Sequence, residues 1–320
     1  MHHIVTGAAG FIGSQLTDDL LDEGHRVTGI DDLSLGRLAH LAAARTSRNF
    51  LFIERDISRT EAAADCLQQA TAWAGPPDLI WHFAANSDIS SGATAPGADF
   101  RRTLQTTFAI VEAGRMAGVR KVAFASTSAV YGENDAVLEE DAGPLLPISF
   151  YGATKLASEA LLSAAAETFL ERIWIFRFPN VVGPRATHGA IFDFIARLAS
   201  QPASLKVLGD GSQTKPYLHV SELIAAMRFI VDKARERRNL FNIGPAGAGT
   251  NVAFIAAKVI ERLRAGTPIA YTGGDRGWVG DVPRFRYSTD KLARLGWRPQ
   301  LSSDAAVLRA IDELAAAAAA

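Results

Sequence analysis

Ile4-Val5-Thr6-Gly7-Ala8-Ala9-Gly10-Phe11-Ile12-Gly13 is the stretch from which the fold is read. A short apolar strand runs directly into a glycine turn, and Ile12, Leu16, Leu20 and Leu21 then recur at helical spacing. Strand, glycine turn and helix together open a βαβ unit. The glycines permit a tight turn, and Gly10 lets a pyrophosphate approach the backbone. The helix N-terminus offers free N–H groups and the positive end of its dipole to the phosphates. Gly7, Gly10, Phe11, Ile12 and Gly13 are therefore the expected phosphate-side contacts of a dinucleotide. The next strand, Val27-Thr28-Gly29-Ile30, ends in Asp31-Asp32. An acid about twenty residues past the glycines is where a ribose hydroxyl is held. A carboxylate there repels a 2′-phosphate, so Asp31 and Asp32 point to NAD over NADP, and Arg37 is the one neighbour that argues the other way.

The alternation continues outward. Phe50-Leu51-Phe52-Ile53 leads to Asp56-Ile57, and Leu79-Ile80-Trp81-His82-Phe83 to Ala84-Ala85. Val122-Ala123-Phe124-Ala125 leads to Ser126-Thr127-Ser128, and Ile173-Trp174-Ile175-Phe176 to Arg177. These runs are apolar on both faces, as buried parallel strands are, and a helical pattern covers 100–118. The expected fold is α/β, a Rossmann-type doubly wound parallel sheet. After Arg177 the texture changes to a proline- and glycine-rich stretch over 178–187, with helices predicted at 191–199, 221–234, 253–263 and 305–314. The expected division is a NAD-binding Rossmann domain over 1–178. Residues 179–320 are then mainly a smaller C-terminal substrate-binding lobe, with some segments returning to the Rossmann core. Ligands of such sheets sit beyond the carboxyl ends of the strands, and Asp31, Asp56, Ala84, Thr127 and Tyr151 all fall at or just past such ends.

Tyr151-Gly152-Ala153-Thr154-Lys155 carries the chemistry. A tyrosine and a lysine four apart share one helix face, with Ser149 as the cap that starts the helix. A free tyrosine, with a pKa of about 10, is a poor base. A cationic lysine alongside favours the phenolate, and such a tyrosine can take a proton from a sugar or alcohol hydroxyl. The pattern on its own favours an ordinary buried tyrosine beside a surface lysine, and the rest of the chain changes those odds.

Composition narrows the classes. The 320-residue chain has a formal net charge of -1 and no basic excess, so nothing argues for nucleic acid. Cys66 is the single cysteine, which excludes an internal disulfide and fits a reducing compartment. No apolar run is long enough to cross a bilayer, and an apolar strand within three residues of the start leaves no signal peptide, so a cytoplasmic protein with no membrane partner is expected. His2 and His3 have no further ligands at metal-binding spacing, and no metal is expected. The alanines over 315–320 have helix propensity without pattern.

In order along the chain stand TGAAGFIG, DDLSLG, RDI, HFAAN, STSAVYG, YGATK, RFPNVVGPR, GDGSQTKPYLHV, FNIG and GDVPRF. Together these resemble the extended short-chain dehydrogenase/reductase family in its nucleotide-sugar epimerase and dehydratase branch, nearest to the UDP-galactose (UDP-glucose) 4-epimerases. The resemblance implies NAD-dependent 4-epimerisation of a nucleotide sugar, of UDP-hexose type, through a transient 4-keto sugar. It makes Tyr151 the base, has Lys155 hold the nicotinamide ribose, and gives Thr127 the serine/threonine position. It adds Asp56, Ile57, Phe83, Ala84, Ala85, Ser126 and Phe178 to the cofactor side. Ser87, Thr127, Asn180, Lys215, Asp281 and Phe285 go to the substrate side. It also implies a homodimer, pairing the helices over 100–118 and 151–166 as a four-helix bundle.

Several positions depart from the pattern: Thr103 for asparagine, Lys215 for arginine, Pro216 for aspartate, and Trp278 for a phosphate-binding arginine that Arg276 is placed to replace. Related 4,6-dehydratases carry Asp-Glu directly after the threonine, and related decarboxylases a glutamate at the second place. Here Ser128 and Ala129 stand there. A redox-sensing dinucleotide-binding module on this fold commonly lacks the tyrosine or the lysine, and this chain has both. Phe285 aligns with a position bordering the sugar's C2 group, where a bulky aromatic accompanies plain hexoses.

Overall fold

The computed structural model describes residues 1–92, 94–134, 136–274, 276–277, 282 and 285–319. Seven strands form one sheet: β1 (His2–Thr6), β2 (Arg26–Asp31), β3 (Phe50–Glu54), β4 (Leu79–His82), β5 (Lys121–Ala125), β6 (Arg172–Arg177) and β7 (Arg238–Asn242). Their order is β7-β6-β5-β4-β1-β2-β3, and every pairing is parallel. This is the doubly wound order 3-2-1-4-5-6 with one strand added.

The strands are apolar along their length because both faces are covered. Neighbouring residues point to opposite sides. Val5, Trp81, Trp174 and Phe176 enter one core, and Ile4, Ile80, Ile173 and Ile175 the other. The first core is closed by α1 (Phe11–Asp22), through Leu16 and Leu20, and by α6 (Val220–Lys233), through Leu223, Met227 and Ile230. The second is closed by α2 (Thr60–Ala74), α3 (Thr106–Met116) and α4 (Phe150–Thr168). A third core joins α5 (Ala190–Ala199), α7 (Val252–Leu263) and α8 (Ser303–Ala319) around Phe194, Val207, Tyr217, Ile255 and Ile311. Among the described residues, no helix is long and apolar enough to cross a membrane.

Two features differ from the sequence reading. The strand β7 lies at the sheet edge, where it pairs only with β6, although two of its five residues are asparagines. Residues after 178 thus complete the sheet through β7, and α6 covers it. The helix expected over 100–118 begins instead with a π-helical turn, Phe100–Gln105. There the Thr106 hydroxyl donates to the carbonyl of Arg101 (2.9 Å) and that of Thr107 to the carbonyl of Thr103 (2.7 Å). Hydroxyls bonded back to preceding carbonyls bend helices, and π turns gather near functional sites.

The sheet also contains buried histidines. The imidazole of His82 is wedged between the hydroxyls of Thr6 (2.7 Å) and Thr107 (3.1 Å). Burial pushes the pKa of His82 down to about 3, helped by the nearby Lys155 charge, and burial likewise takes His3 down to about 3. An unfolded histidine titrates near 6.5. Below that pH the unfolded chain therefore binds protons that the native one refuses, so stability is full above pH 6.5 and falls toward pH 3. Each histidine is expected to cost about 2 kcal/mol between pH 7 and pH 5. Urea midpoints at the two pH values check this: His82→Asn should remove about half of the drop, and a pH-independent midpoint refutes it.

Candidate active site

Strand order reverses between β1 and β4, and crevices of this fold open at such a point. A cavity of about 780 Å³ lies there, between the carboxyl ends of the strands and the C-terminal segments carrying Asn180, Ile191, Lys215 and Phe285. Gly7 adopts φ +71°, and a Cβ on it would lie 2.8 Å from the Ala84 nitrogen. The ends of β1 and β4 are therefore too close for any side chain at residue 7. Gly13 is equally restricted, since its Cβ would fall 2.1 Å from the Gly7 carbonyl oxygen. Gly10 differs: a Cβ there would touch only the Gly7 oxygen, at 3.1 Å, and the residue lines the cavity. The protein itself leaves room at residue 10, and that room lies on the ligand side. Gly10 caps α1 with extended backbone and no side-chain cap, so Phe11, Ile12 and Gly13 present the helix N-terminus to the cavity.

Asp31 closes this end of the site. Its carboxylate accepts the Ala9 N–H (2.9 Å) and the Leu33 N–H (2.8 Å), tying the glycine turn to the loop after β2. Burial raises its pKa, opposed by those two N–H groups. Asp32 is exposed and accepts the backbone N–H (3.0 Å) and hydroxyl (2.6 Å) of Ser34. The guanidinium of Arg37, the residue that favoured a 2′-phosphate, sits 6.0 Å from the Phe192 ring centroid, and Arg37 is not among the cavity-lining residues. Asp56, Phe83, Ala84, Ala85, Ser126 and Phe178 line the cavity as expected. Ile57 does not; its side chain is buried in the core with Ile53 and Leu67, because an apolar chain beside the sheet is better placed there.

Tyr151, Lys155 and Thr127 converge on the same cavity. Ser149 caps α4 by accepting the Gly152 N–H at 3.1 Å. The Lys155 ammonium donates to the carbonyl of Ala125 (2.6 Å) and stands 4.8 Å from the Phe124 ring centroid and 5.9 Å from that of Tyr151. Thr127 lies beside the Tyr151 phenol and favours its charged form, and its oxygen accepts the Ala129 N–H at 3.1 Å.

The charge balance differs from the expectation that lysine lowers the tyrosine. Burial pushes Tyr151 up to about 12, the neighbouring Thr127 side chain opposes it, and the charge of Asp99 adds to it. Burial pulls Lys155 down to about 7 against the attraction of Glu159. Desolvation outweighs the lysine, whose ammonium is turned toward Ala125. In this protein alone, the phenol keeps its proton at neutral pH.

Of the residues expected on the substrate side, Ser87, Asn180, Lys215 and Phe285 line the cavity. Asn180 is exposed on a short strand, Asn180–Val182, paired with Tyr217–His219. Lys215 is buried on Thr214–Lys215, paired with Thr250–Asn251. Phe285 packs on Val130, Tyr131 and Leu138. The Arg276 guanidinium bonds both oxygens of Glu133, at 2.8 and 3.0 Å. Asp281 and Trp278 lie outside the described residues. Thr103, standing where asparagine was expected, is fully buried and accepts the Asn86 N–H at 3.1 Å, which fixes the loop after β4.

Sequence reasoning missed Glu159, which forms a buried bidentate pair with Arg177 at 3.0 and 2.7 Å. Its signal was its place four residues after Lys155. It also missed Asp99, fully buried and bonded to the Asn86 amide at 2.9 Å, for which no local pattern exists.

Comparison with known proteins agrees with this geometry. The profile of the NAD-dependent epimerase/dehydratase family matches residues 3–244. The UDP-glucose 4-epimerase of Mycolicibacterium smegmatis is 32% identical over 327 residues, covering 98% of both chains. A crystal structure of a UDP-galactose 4-epimerase is 34% identical with a TM-score of 0.85 and 99% coverage of each chain. The UDP-glucose 4-epimerase of Thermotoga maritima, solved with UDP-glucose, is 27% identical with a TM-score of 0.86, over 99% of this chain and 100% of that one. With a family match over most of its length and a relative similar from end to end, the chain belongs to the NAD-dependent epimerase/dehydratase family.

Proposed function

We propose that the protein interconverts the C4 epimers of a nucleotide hexose of the UDP-glucose/UDP-galactose type. The observation that carries this is the convergence of Tyr151, Thr127 and Lys155 on the switch-point cavity, with Ser128 and Ala129 as the next residues along its wall. Elimination or decarboxylation needs acid–base groups at those two places, and neither side chain can move a proton in that way. A redox-sensing role has no use for the tyrosine–lysine pair.

The residues present fit NAD. Gly10 and the start of α1 would hold the pyrophosphate, Asp31 and Asp32 the adenosine ribose, and Lys155 the nicotinamide ribose, with Asp56, Phe83, Ala84, Ala85, Ser126 and Phe178 along the wall. The chemistry NAD supplies when bound is reversible hydride acceptance at the sugar's C4, through a transient 4-keto sugar. The protein's part is proton handling. In its phenolate form, which the positive charge of Lys155 favours, Tyr151 takes the 4-hydroxyl proton and returns it, and Thr127 orients that hydroxyl. Asn180 and Lys215 would meet the substrate phosphates, Ser87 the sugar side and Asp281 the nucleoside. Residues 1–178 then act as the cofactor-binding part. Residues 179–320 act mainly as the substrate lobe, with α6 and β7 serving the sheet. A cytoplasmic setting fits the single buried cysteine.

The direct test is turnover of UDP-galactose and UDP-glucose, with the cofactor released by denaturation and identified. NAD should be recovered, and NADP as the main species would overturn the assignment of Asp31. Tyr151→Phe should keep its thermal transition and lose at least a thousandfold in kcat, on the order of a general acid–base contribution plus its hydrogen bond. Substantial turnover in that variant would place the base elsewhere.

We also propose that Phe285 narrows the space around the sugar's C2 group. Overpacking costs about 1–3 kcal/mol, enough for roughly ten- to hundredfold discrimination. Unmodified protein should prefer plain UDP-hexoses over the N-acetyl forms in kcat/KM, and Phe285→Ser should shrink the ratio. Equal use of both by the unmodified protein refutes the gate.

Finally, we propose a homodimer through α4 and the segment over 100–116. Phe100, Phe108 and Phe150 are each more than half exposed there, and exposed aromatic side chains on helices of this kind mark association surfaces. Light scattering at micromolar concentration should give twice the chain mass, and Phe108→Asp should halve it; a monomer before substitution rejects the dimer.

A further inference from the structure

Three consecutive residues at the end of β5 meet three residues of α4 that lie one turn apart. The Ala125 carbonyl accepts the Lys155 ammonium (2.6 Å), the Ser126 hydroxyl donates to Glu159, and the Thr127 side chain lies beside the Tyr151 phenol. Tyr151, Lys155 and Glu159 are spaced by four and share a helix face. From the far side Arg177 of β6 grips Glu159 with Nε on Oε1 (3.0 Å) and Nη2 on Oε2 (2.7 Å). Both side chains are under a tenth exposed. The guanidinium also lies 4.8 Å from the Tyr131 ring centroid, and the Tyr131 hydroxyl donates to Asn242 of β7 at 2.7 Å.

A buried ion pair is weak as a stabilising device. Replacing the whole pair with uncharged groups is often neutral or favourable, although removing one partner alone is costly. Its position is what distinguishes this one: it meets the strand end that holds both proton-handling side chains. We propose that Glu159 is a positioning residue, which sets the register of residues 125–127 against α4 through Ser126 and places its carboxylate one helical turn from Lys155. This rests on the reading of Tyr151 and Lys155 given above.

Among the charged side chains described around Lys155, Glu159 is the one that favours its charge. Phe124 offers only its ring, at 4.8 Å. His82 on β4 is buried, and the Lys155 charge helps to lower its pKa to about 3. Tyr151 on the same helix is pushed up to about 12, and Asp99 acts on Tyr151. Burial draws Lys155 down to about 7, and the attraction of Glu159 works against that. Arg177 holds Glu159 from the opposite side.

The test separates charge from register. In the paired variant Glu159→Gln/Arg177→Gln both charges go, while an amide oxygen remains for Ser126. Ser126→Ala breaks the register bond and leaves both charges. In protein purified with its own cofactor, the Lys155 titration is followed by NMR of ¹³C-labelled lysine Cε, with Lys155→Met to assign the signal. The paired variant should titrate about one pH unit or more below the unmodified protein. Ser126→Ala should titrate with the unmodified protein but lose roughly ten- to hundredfold in kcat at nearly constant KM, as a small misplacement of reacting groups does. A paired variant that titrates at the unmodified midpoint, or a Ser126→Ala protein with full kcat, overturns the proposal. If the paired variant does not fold, Ser126→Ala decides alone. The NMR midpoint needs no substrate, so a shifted midpoint in a protein without epimerase turnover would remove the functional reading and leave the role of Glu159 standing.

Discussion

The ends of β1 and β4 come so close that residue 7 has no room for a Cβ, and the site depends on that contact. It fixes where the sheet divides, with helices leaving to opposite faces on either side. The chain must then turn sharply at Gly7 and start α1 at Gly10, directly over the gap. Asp31, at the end of the neighbouring strand, bonds back to Ala9 and locks the turn. The same crowding positions His82 beneath the site, where the hydroxyl of Thr6 meets its ring. A wider separation would remove the need for glycine, but it would also remove the helix end from the cavity.

Burial sets the electrical character of the site more than any single charge does. Both Tyr151 and Lys155 are driven toward their neutral forms, in opposite directions along the pH scale. The charge on two such groups is poised by what enters the pocket, because each added charge acts in a medium of low dielectric. This protein tunes them with groups at one strand end, the Ala125 carbonyl and the Thr127 hydroxyl, together with the charge of Glu159. Short rigid elements therefore carry Thr127, Tyr151 and Lys155, while Asn180, Lys215 and Phe285 reach the cavity from the loop-rich C-terminal part.

What could be read in the sequence follows the physics of range. The strand–glycine–helix start was legible because the apolar period changes from strand to helix within ten residues. The six strands from β1 to β6 were legible as short apolar runs. The seventh was not, since Asn239 and Asn242 interrupt it and find partners in distant segments, Ile173 for the one and Tyr131, Leu138 and Ser288 for the other. The π turn at Phe100–Gln105 depends on hydroxyls bonding carbonyls four and five residues back, which no hydropathy pattern encodes. The burial of the Ile57 side chain was not legible, because proximity to a strand end says nothing of which way an apolar side chain turns. The pair Glu159–Arg177 joins a helix to the following strand, and its partners become neighbours only after the sheet assembles.

The position of β7 has a consequence for synthesis of the chain. Strand β6 is finished at residue 177, but the strand beside it ends at residue 242, and α6, which covers Trp174 and Phe176 on one face, ends at residue 233. Until those residues have left the ribosome, β6 is an uncovered edge with two large aromatic side chains beside it, the kind of surface that pairs with other chains. The nascent protein thus passes through a period in which its sheet is largely built yet still adhesive. Its final edge is supplied by a later segment, Arg238–Asn242. A chain truncated anywhere in that interval would be a hazard to its neighbours, and one completed past it closes its own sheet.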